Sequence, residues 1–199
     1  SRYEALGTDR KVYAYVAGPS QDITPIRETA TLVNAITTTN TSATLTISDS
    51  SHGADVGDFV TLSSVSANVG GILSTVLDAE YEILTITNAS AYTVLSSATA
   101  TSTVGPTANC TATYQLNIGP SEQTFGYGWG SGTWSTSTWG TARATSNVTL
   151  DARLWSINNW GEDLVITQKD GGTYEWDTSG GMSGNRATVI ANAPTTSTL

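Results

Sequence analysis

The chain has 199 residues and a formal net charge of -9, from Lys+Arg 8 against Asp+Glu 17, with one Cys, one His and 6 Trp. A chain of this size buries roughly 70% of the surface its unfolded form exposes, so a core forms without cross-links. Cys110 and His52 stand alone, which excludes an internal disulfide and leaves zinc sites of clustered Cys and His, iron–sulfur clusters, thiol–disulfide chemistry and His-based general catalysis without their groups. No catalytic residue, cofactor or metal site is expected.

The acidic balance and the scattered cations argue against nucleic-acid binding by phosphate neutralisation. No run approaches the ~20 apolar residues of a membrane span, and the N-terminus lacks a basic-then-apolar signal pattern, so neither direct nucleic-acid binding nor membrane insertion is expected. The charged fraction is 13% and the hydrophobic fraction 38%, with Thr, Ser and Gly abundant. Such a chain is polar but weakly charged, and still apolar enough to fold. The start at Ser1 without Met and the lack of a closing element near Leu199 point to processing or to a piece of something longer.

Along the chain the dominant hydrophobic period is two, in short pieces separated by turn residues. Lys11–Val16 alternates, Ala17-Gly18-Pro19-Ser20 is a turn cluster, and Asp22-Ile23-Thr24-Pro25-Ile26 resumes in extended form. Strands are predicted over Ala43–Ser48, Phe59–Ser63, Tyr81–Thr87, Tyr92–Ser96, Cys110–Ile118 and Leu164–Thr167, all β-branched and alternating. No window carries a sustained 3.6-residue apolar stripe with caps. The fold class is therefore all-β.

Composition divides the chain into a β body, residues 1–28 and 116–199, and a section over 29–115 that is nearly free of Lys and Arg and reads as an inserted small β module, barrel or sandwich. The flanks resemble each other. Gly7-Thr8-Asp9 before the Val12–Tyr15 alternation, a Gly turn and Asp22 match Gly161-Glu162-Asp163 before Leu164–Thr167, the turn Asp170-Gly171-Gly172, and Tyr174-Glu175-Trp176-Asp177. Two strand-turn-strand copies suggest propeller-like blades or sheet-forming hairpins.

In the stretch 126–140, Trp129, Trp134 and Trp139 recur every five residues beside Tyr127 and many glycines. An odd spacing alternates faces on a straight strand, so an irregular ribbon anchored by aromatics is expected. Its indoles either stack on sugar rings or a partner protein, or staple the Gly-rich loop to the core or to a neighbouring subunit, as the usual burial of Trp favours. The candidate partner or glycan contacts are thus Tyr127, Trp129, Trp134 and Trp139. Around His52, Gly53 and Gly57 mark a turn, with the imidazole in a capping role and Asp55 and Asp58 as unselected alternatives for a catalytic arrangement. Asp78/Glu80/Glu82 and Asp170/Glu175/Asp177 place carboxylates at same-face strand spacing. That pattern serves glycoside hydrolysis or a hard cation, but is more often a solvated face; no D-x-D-x-D-G loop is present.

The segment Gly7–Tyr15 with Asp22-Ile23-Thr24-Pro25-Ile26-Arg27, the Gly/Trp ribbon from Tyr127 to Trp139, and Arg153-Leu154-Trp155-Ser156-Ile157-Asn158-Asn159-Trp160-Gly161-Glu162-Asp163-Leu164-Val165 together resemble structural proteins of tailed double-stranded DNA bacteriophages. The resemblance covers about 7–28 and 125–177. The section holding His52-Gly53, Val56–Val60, Gly70-Gly71-Ile72, Tyr81–Ile83 and Tyr92–Val94 is similar to a small β module inserted in phage structural proteins. The resemblance implies a virion tail or neck component of hub, nozzle or adaptor type. This chain is too short for a complete propeller of four-stranded blades plus an insertion, which leaves a shorter tail, neck or capsid-decorating component, or part of a larger chain.

The expectation is a non-enzymatic virion structural protein that assembles through β surfaces with other virion proteins and with copies of itself. The alternative is a carbohydrate-binding adhesin or receptor-recognition module that holds a host-surface glycan on exposed Trp. A glycan hydrolase using paired carboxylates is the weakest reading.

Overall fold

A computed structural model describes residues 3–15, 18–117, 154–169, 171–181 and 184–194. Its strands in chain order are β1 (Glu4–Gly7), β2 (Val12–Tyr15), β3 (Gln21–Asp22), β4 (Ile26–Leu32), β5 (Ile36–Thr38), β6 (Thr44–Ser48), β7 (Phe59–Ser63), β8 (Glu80–Asn88), β9 (Ala91–Leu95), β10 (Val104–Thr107), β11 (Cys110–Gln115), β12 (Trp155–Trp160), β13 (Asp163–Gln168), β14 (Thr173–Trp176) and β15 (Thr188–Val189). One helical turn, α1 (Ser74–Leu77), precedes β8. The chain is all-β, and among the described residues every strand pairing is antiparallel.

Three sheets result: β1-β2-β3, an eight-stranded sheet ordered β10-β5-β6-β9-β8-β7-β11-β4, and β12-β13-β14-β15. The middle sheet turns on β8, whose first residues pair with β7 and whose later residues pair with β9 across register shifts. Alternation then sends Val60, Leu62, Ala112 and Tyr114 from one half, and Leu45, Ile47, Ile83 and Val94 from the other, into one buried cluster. Of the barrel and sandwich alternatives, the barrel does not close. The sheet's ends, β10 and β4, each pair on one side only among the described residues.

Tight turns lie in the connections of this sheet. Val69 and Ile72 bridge around Gly70 and Gly71, whose φ values of +57° and +85° lie in the left-handed region that glycine occupies at least cost. Gly53 and Gly57 are also left-handed, at +56° and +91°, around the turn read at His52.

A second buried cluster gathers Val12, Ala14 and Ile23 from the N-terminal sheet with Leu116, Leu164, Ile166, Tyr174, Trp176 and Ala187. Trp176 is fully buried and donates its indole N–H to the Asn185 carbonyl at 3.1 Å, so its large apolar area is sequestered without an orphaned donor. The two flanking segments that resemble each other in sequence share their local structure. Both β2-β3 and β13-β14 are antiparallel pairs, and each ends on an aspartate that accepts a main-chain N–H two residues on: Thr24 to Asp22 at 3.0 Å and Ser179 to Asp177 at 2.7 Å. No described helix is long and apolar enough to cross a membrane.

Candidate functional site: an ionic junction and the open sheet edges

The carboxylates singled out at Glu80 and Glu82 do lie on one side of β8, but cations from the N-terminal segment meet both. Lys11 donates to Asp22 Oδ2 at 3.0 Å and to Glu80 Oε1. Arg186 reaches Asp22 Oδ1 at 2.6 Å and Glu80 Oε2 at 3.6 Å, and Gln115 Nε2 donates to Glu80 Oε2 at 2.8 Å. Arg10 pairs with Glu82. Two cations and two carboxylates thus form a ring joining β3, β8 and the segment before β15, at the place where the two buried clusters meet. The Lys11 ammonium also stands 4.3 Å from the Phe59 ring centroid.

Protonation equilibria in the ring show which force prevails. Burial pushes Asp22 upward, yet the hydrogen bonds from Thr24 and Lys11 and the charge of Arg186 outweigh it, and its carboxyl sits below the usual value. Burial likewise pulls Lys11 downward, and Glu80 and Asp22 more than restore it, so the ammonium is held above its usual value.

A second buried polar group lies inside the middle sheet. Tyr114 donates to Asp49 Oδ2, and its hydroxyl stands 3.0 Å from that of Tyr92. The Arg27 guanidinium lies 5.3 Å from the Tyr114 ring and donates to the His52 carbonyl at 2.8 Å. Burial first, and then the surrounding charge, raises both phenols well above their usual range, so they are locked as neutral donors. His52 is buried; its Nδ1 accepts the Ala54 N–H at 3.1 Å, which leaves Nε2–H to donate to the Asn88 carbonyl at 3.1 Å. The imidazole therefore caps its own turn. Asp55 and Asp58 do not form a relay with it: Asp58 Oδ2 accepts the Asp55 N–H at 2.8 Å.

Of the other carboxylates singled out, Glu175 lies on β14 opposite Val165 and Thr188. Asp78 Oδ1 accepts the Val65 N–H at 2.9 Å, and Asp177 closes its own turn; Asp170 lies outside the described residues. Among the described residues no group of three or more His, Cys, Asp or Glu is placed to hold a metal ion. Tyr127, Trp129, Trp134 and Trp139 also lie outside the described residues.

What the structure brings to the surface instead is sheet edge. The end strands are β1, β3, β10, β4, β12 and β15. Most are blunted against pairing: β3 and β15 have two residues each, β10 contains Gly105 and Pro106, β4 carries Arg27 and Glu28, and β1 is four residues long with Glu4. Strand β12, WSINNW, has six residues and neither charge nor proline, and it is flanked by Leu154 at 57% exposure and ends on Trp160 at 72%. Its other aromatic is anchored. Trp155 lies against Gly7 of β1 and donates its indole N–H to the Thr8 carbonyl at 2.8 Å.

Sequence reading pointed to Trp clusters and to Glu80 and Glu82, and it missed Lys11, Asp22 and Arg186 as their partners. The only available signal for the two cations, Lys11 and Arg186, was that they lie in chain sections that carry most of the basic charge. Its apposition to β8 is a long-range consequence of the fold.

Comparison with known protein families matches none, and a search of the curated proteins finds no match either. Among solved structures the chain is similar to one described as phage phi92 endosialidase, at 17% identity and a TM-score of 0.40 over 95% of this chain. The chain spans 30% of that protein's length. A likeness of this size says nothing of activity.

Proposed function

We propose that the chain is a non-enzymatic bacteriophage virion structural protein, a tail or neck component of hub, nozzle or adaptor type, built from a β body over 1–28 and 116–199 and an inserted module over 29–115. It assembles through β surfaces with other virion proteins and with copies of itself. The observation that carries this reading is the uncharged, apolar-tipped edge of β12 on a body tied by part-buried ion pairs. A rigid β unit with one unblunted edge suits repetitive assembly, where aromatic anchors dominate contacts. The resemblance of the 22–27 and 153–165 segments to phage structural proteins points the same way. A mass-spectrometric inventory of purified particles, with antibody-labelled electron micrographs, tests it: the chain is expected in stoichiometric amount at the tail or neck, and intact particles lacking it would overturn the reading.

The alternative, a glycan-binding recognition module, retains Tyr127, Trp129, Trp134 and Trp139 as its contacts, and exposed Trp160 adds an aromatic face to it. A glycan array with Trp→Ala variants separates the two. Tight binding that disappears with the indoles favours recognition, and silence favours structure.

A further inference from the structure

From the geometry of β12 we infer that this strand pairs with β12 of a second copy, antiparallel, about a two-fold axis at Ile157. The contact names one self-interface within the assembly reading above and rests on that reading for its role, but not for its existence.

Hydrogen-bond parity limits the registers. Lys169 N–H donates to the Leu154 carbonyl at 2.9 Å, and β12 runs opposite β13 from Trp155↔Gln168 to Trp160↔Asp163. Even-numbered residues of β12 therefore bond to β13, and the main-chain groups of Trp155, Ile157 and Asn159 point outward. Among the described residues no strand takes them up. The Asn159 N–H is instead covered locally by Asn158 Oδ1 at 2.8 Å. In a pairing of two copies, outward residues must oppose outward residues, so only registers shifted by two are available.

Side chains choose among these. On the exposed face the order is Leu154, Ser156, Asn158, Trp160, apolar at both ends and polar between. Centring the axis on Ile157 sets Leu154 against Trp160 of the second copy and Ser156 against Asn158, like on like. A shift of two in either direction sets an apolar end against a polar residue. The strand holds no ionisable group, so a chain of net charge -9 brings no like charges face to face there. A six-residue edge is far smaller than the ~800 Å² per partner of a stable dimer, so the isolated contact is weak and gains strength when several copies are held together. The occupant is a second copy because the pattern is complementary to itself.

The test is disulfide trapping on the full chain. Ser156 and the second copy's Asn158 form a non-hydrogen-bonded pair, whose Cα atoms stand ~4.5 Å apart, within the ~4.4–6.8 Å that a disulfide spans, while Ser156 and its own counterpart are diagonal. Buried Cys110 does not compete. Equal amounts of S156C and N158C chains, mixed and mildly oxidised, are expected to give a cross-linked dimer that neither chain gives alone. Equal cross-linking in either single-variant sample would overturn the register. No cross-link in the mixture would overturn the pairing, whether the edge is covered by the 118–153 segment or by another partner. Adding Trp160→Lys, at a position exposed enough to leave the fold intact, is expected to lower the yield at least about tenfold. An unchanged yield, with an unchanged unfolding midpoint, would also overturn it. Particles that lack the chain would defeat the assembly reading and leave the cross-link standing; a missing cross-link would leave particle membership standing.

Discussion

Lys11 is 9% exposed and faces two carboxylates, so its removal leaves like charges facing each other with Arg186 as their remaining cation. Breaking a buried pair is costly because the surviving charge stays desolvated; with Glu80 partly open to solvent, Lys11→Met is expected to lose about 2 kcal/mol. Urea titration of the variant checks this, and a midpoint within error of the parent would show that water already screens the ring. The directions of the two shifts also define pH limbs. Asp22, held below its usual value of 3.8, contributes stability that is present above that value and lost as pH falls through its lower folded value. Lys11, held above 10.5, contributes stability present below 10.5 and lost as pH rises through its folded value. Unfolding midpoints are expected to be flat near neutrality, and Asp22→Asn to remove part of the acid limb.

Cys110 adds to the alkaline side. Burial, and then the charges of Asp49 and Asp78, push its thiol up to about 11, so its protonated state stabilises the fold below 9.0 and that contribution is lost as pH rises through about 11. The thiol is 3% exposed. Ellman's reagent at pH 8 is expected to label it only at the rate of unfolding; immediate stoichiometric labelling would contradict its burial.

At the scale of elements, the strands that sequence could reveal are those whose apolar alternation is complete within the strand. Phe59–Ser63 is read to the residue as β7, and Thr44–Ser48, Ala91–Leu95 and Asp163–Gln168 within one residue at each end. The strands it passed over, β1, β4, β5, β10, β12 and β15, are short or polar and owe their form to a neighbour: β4 is extended because β11 pairs along it from Leu32↔Cys110 to Ile26↔Gln115. The glycine turn at Gly53 and Gly57 was legible for the same local reason. Gly70, which was not read as a turn, shows how strict such positions are: an added Cβ would run into Thr38 Oγ1 and approach the Ser102 carbonyl at 2.9 Å, in a left-handed conformation. Gly70→Ala is expected to lose about 1–2 kcal/mol, more than the common gain from Gly→Ala at compatible sites, as read by thermal melting. The ionic ring was not legible, since Lys11 and Glu80 are brought together by pairing across 69 residues.

On the scale of the whole molecule, one buried cluster draws only on residues 32–114 and the other on 12–23 and 116–187. The chain enters and leaves the first through β4 and β11, which are direct neighbours, so the two ends of the intervening section emerge side by side. The ring of Lys11, Asp22, Glu80 and Arg186 ties side chains from the sections that supply the two clusters. Glu80 is the one ring carboxylate supplied by the 29–115 section; in an isolated piece it loses both cations, keeps Gln115 as a neutral donor and has its charge solvated by water. A fragment spanning 26–116 is therefore expected to fold alone, with a cooperative urea transition and dispersed amide resonances, and to be indifferent to Glu80→Gln, while the same substitution in the full chain lowers stability by leaving Lys11 and Arg186 underpaired. A fragment that stays unfolded would mean that the two clusters form one cooperative core, and that the ring is internal to it.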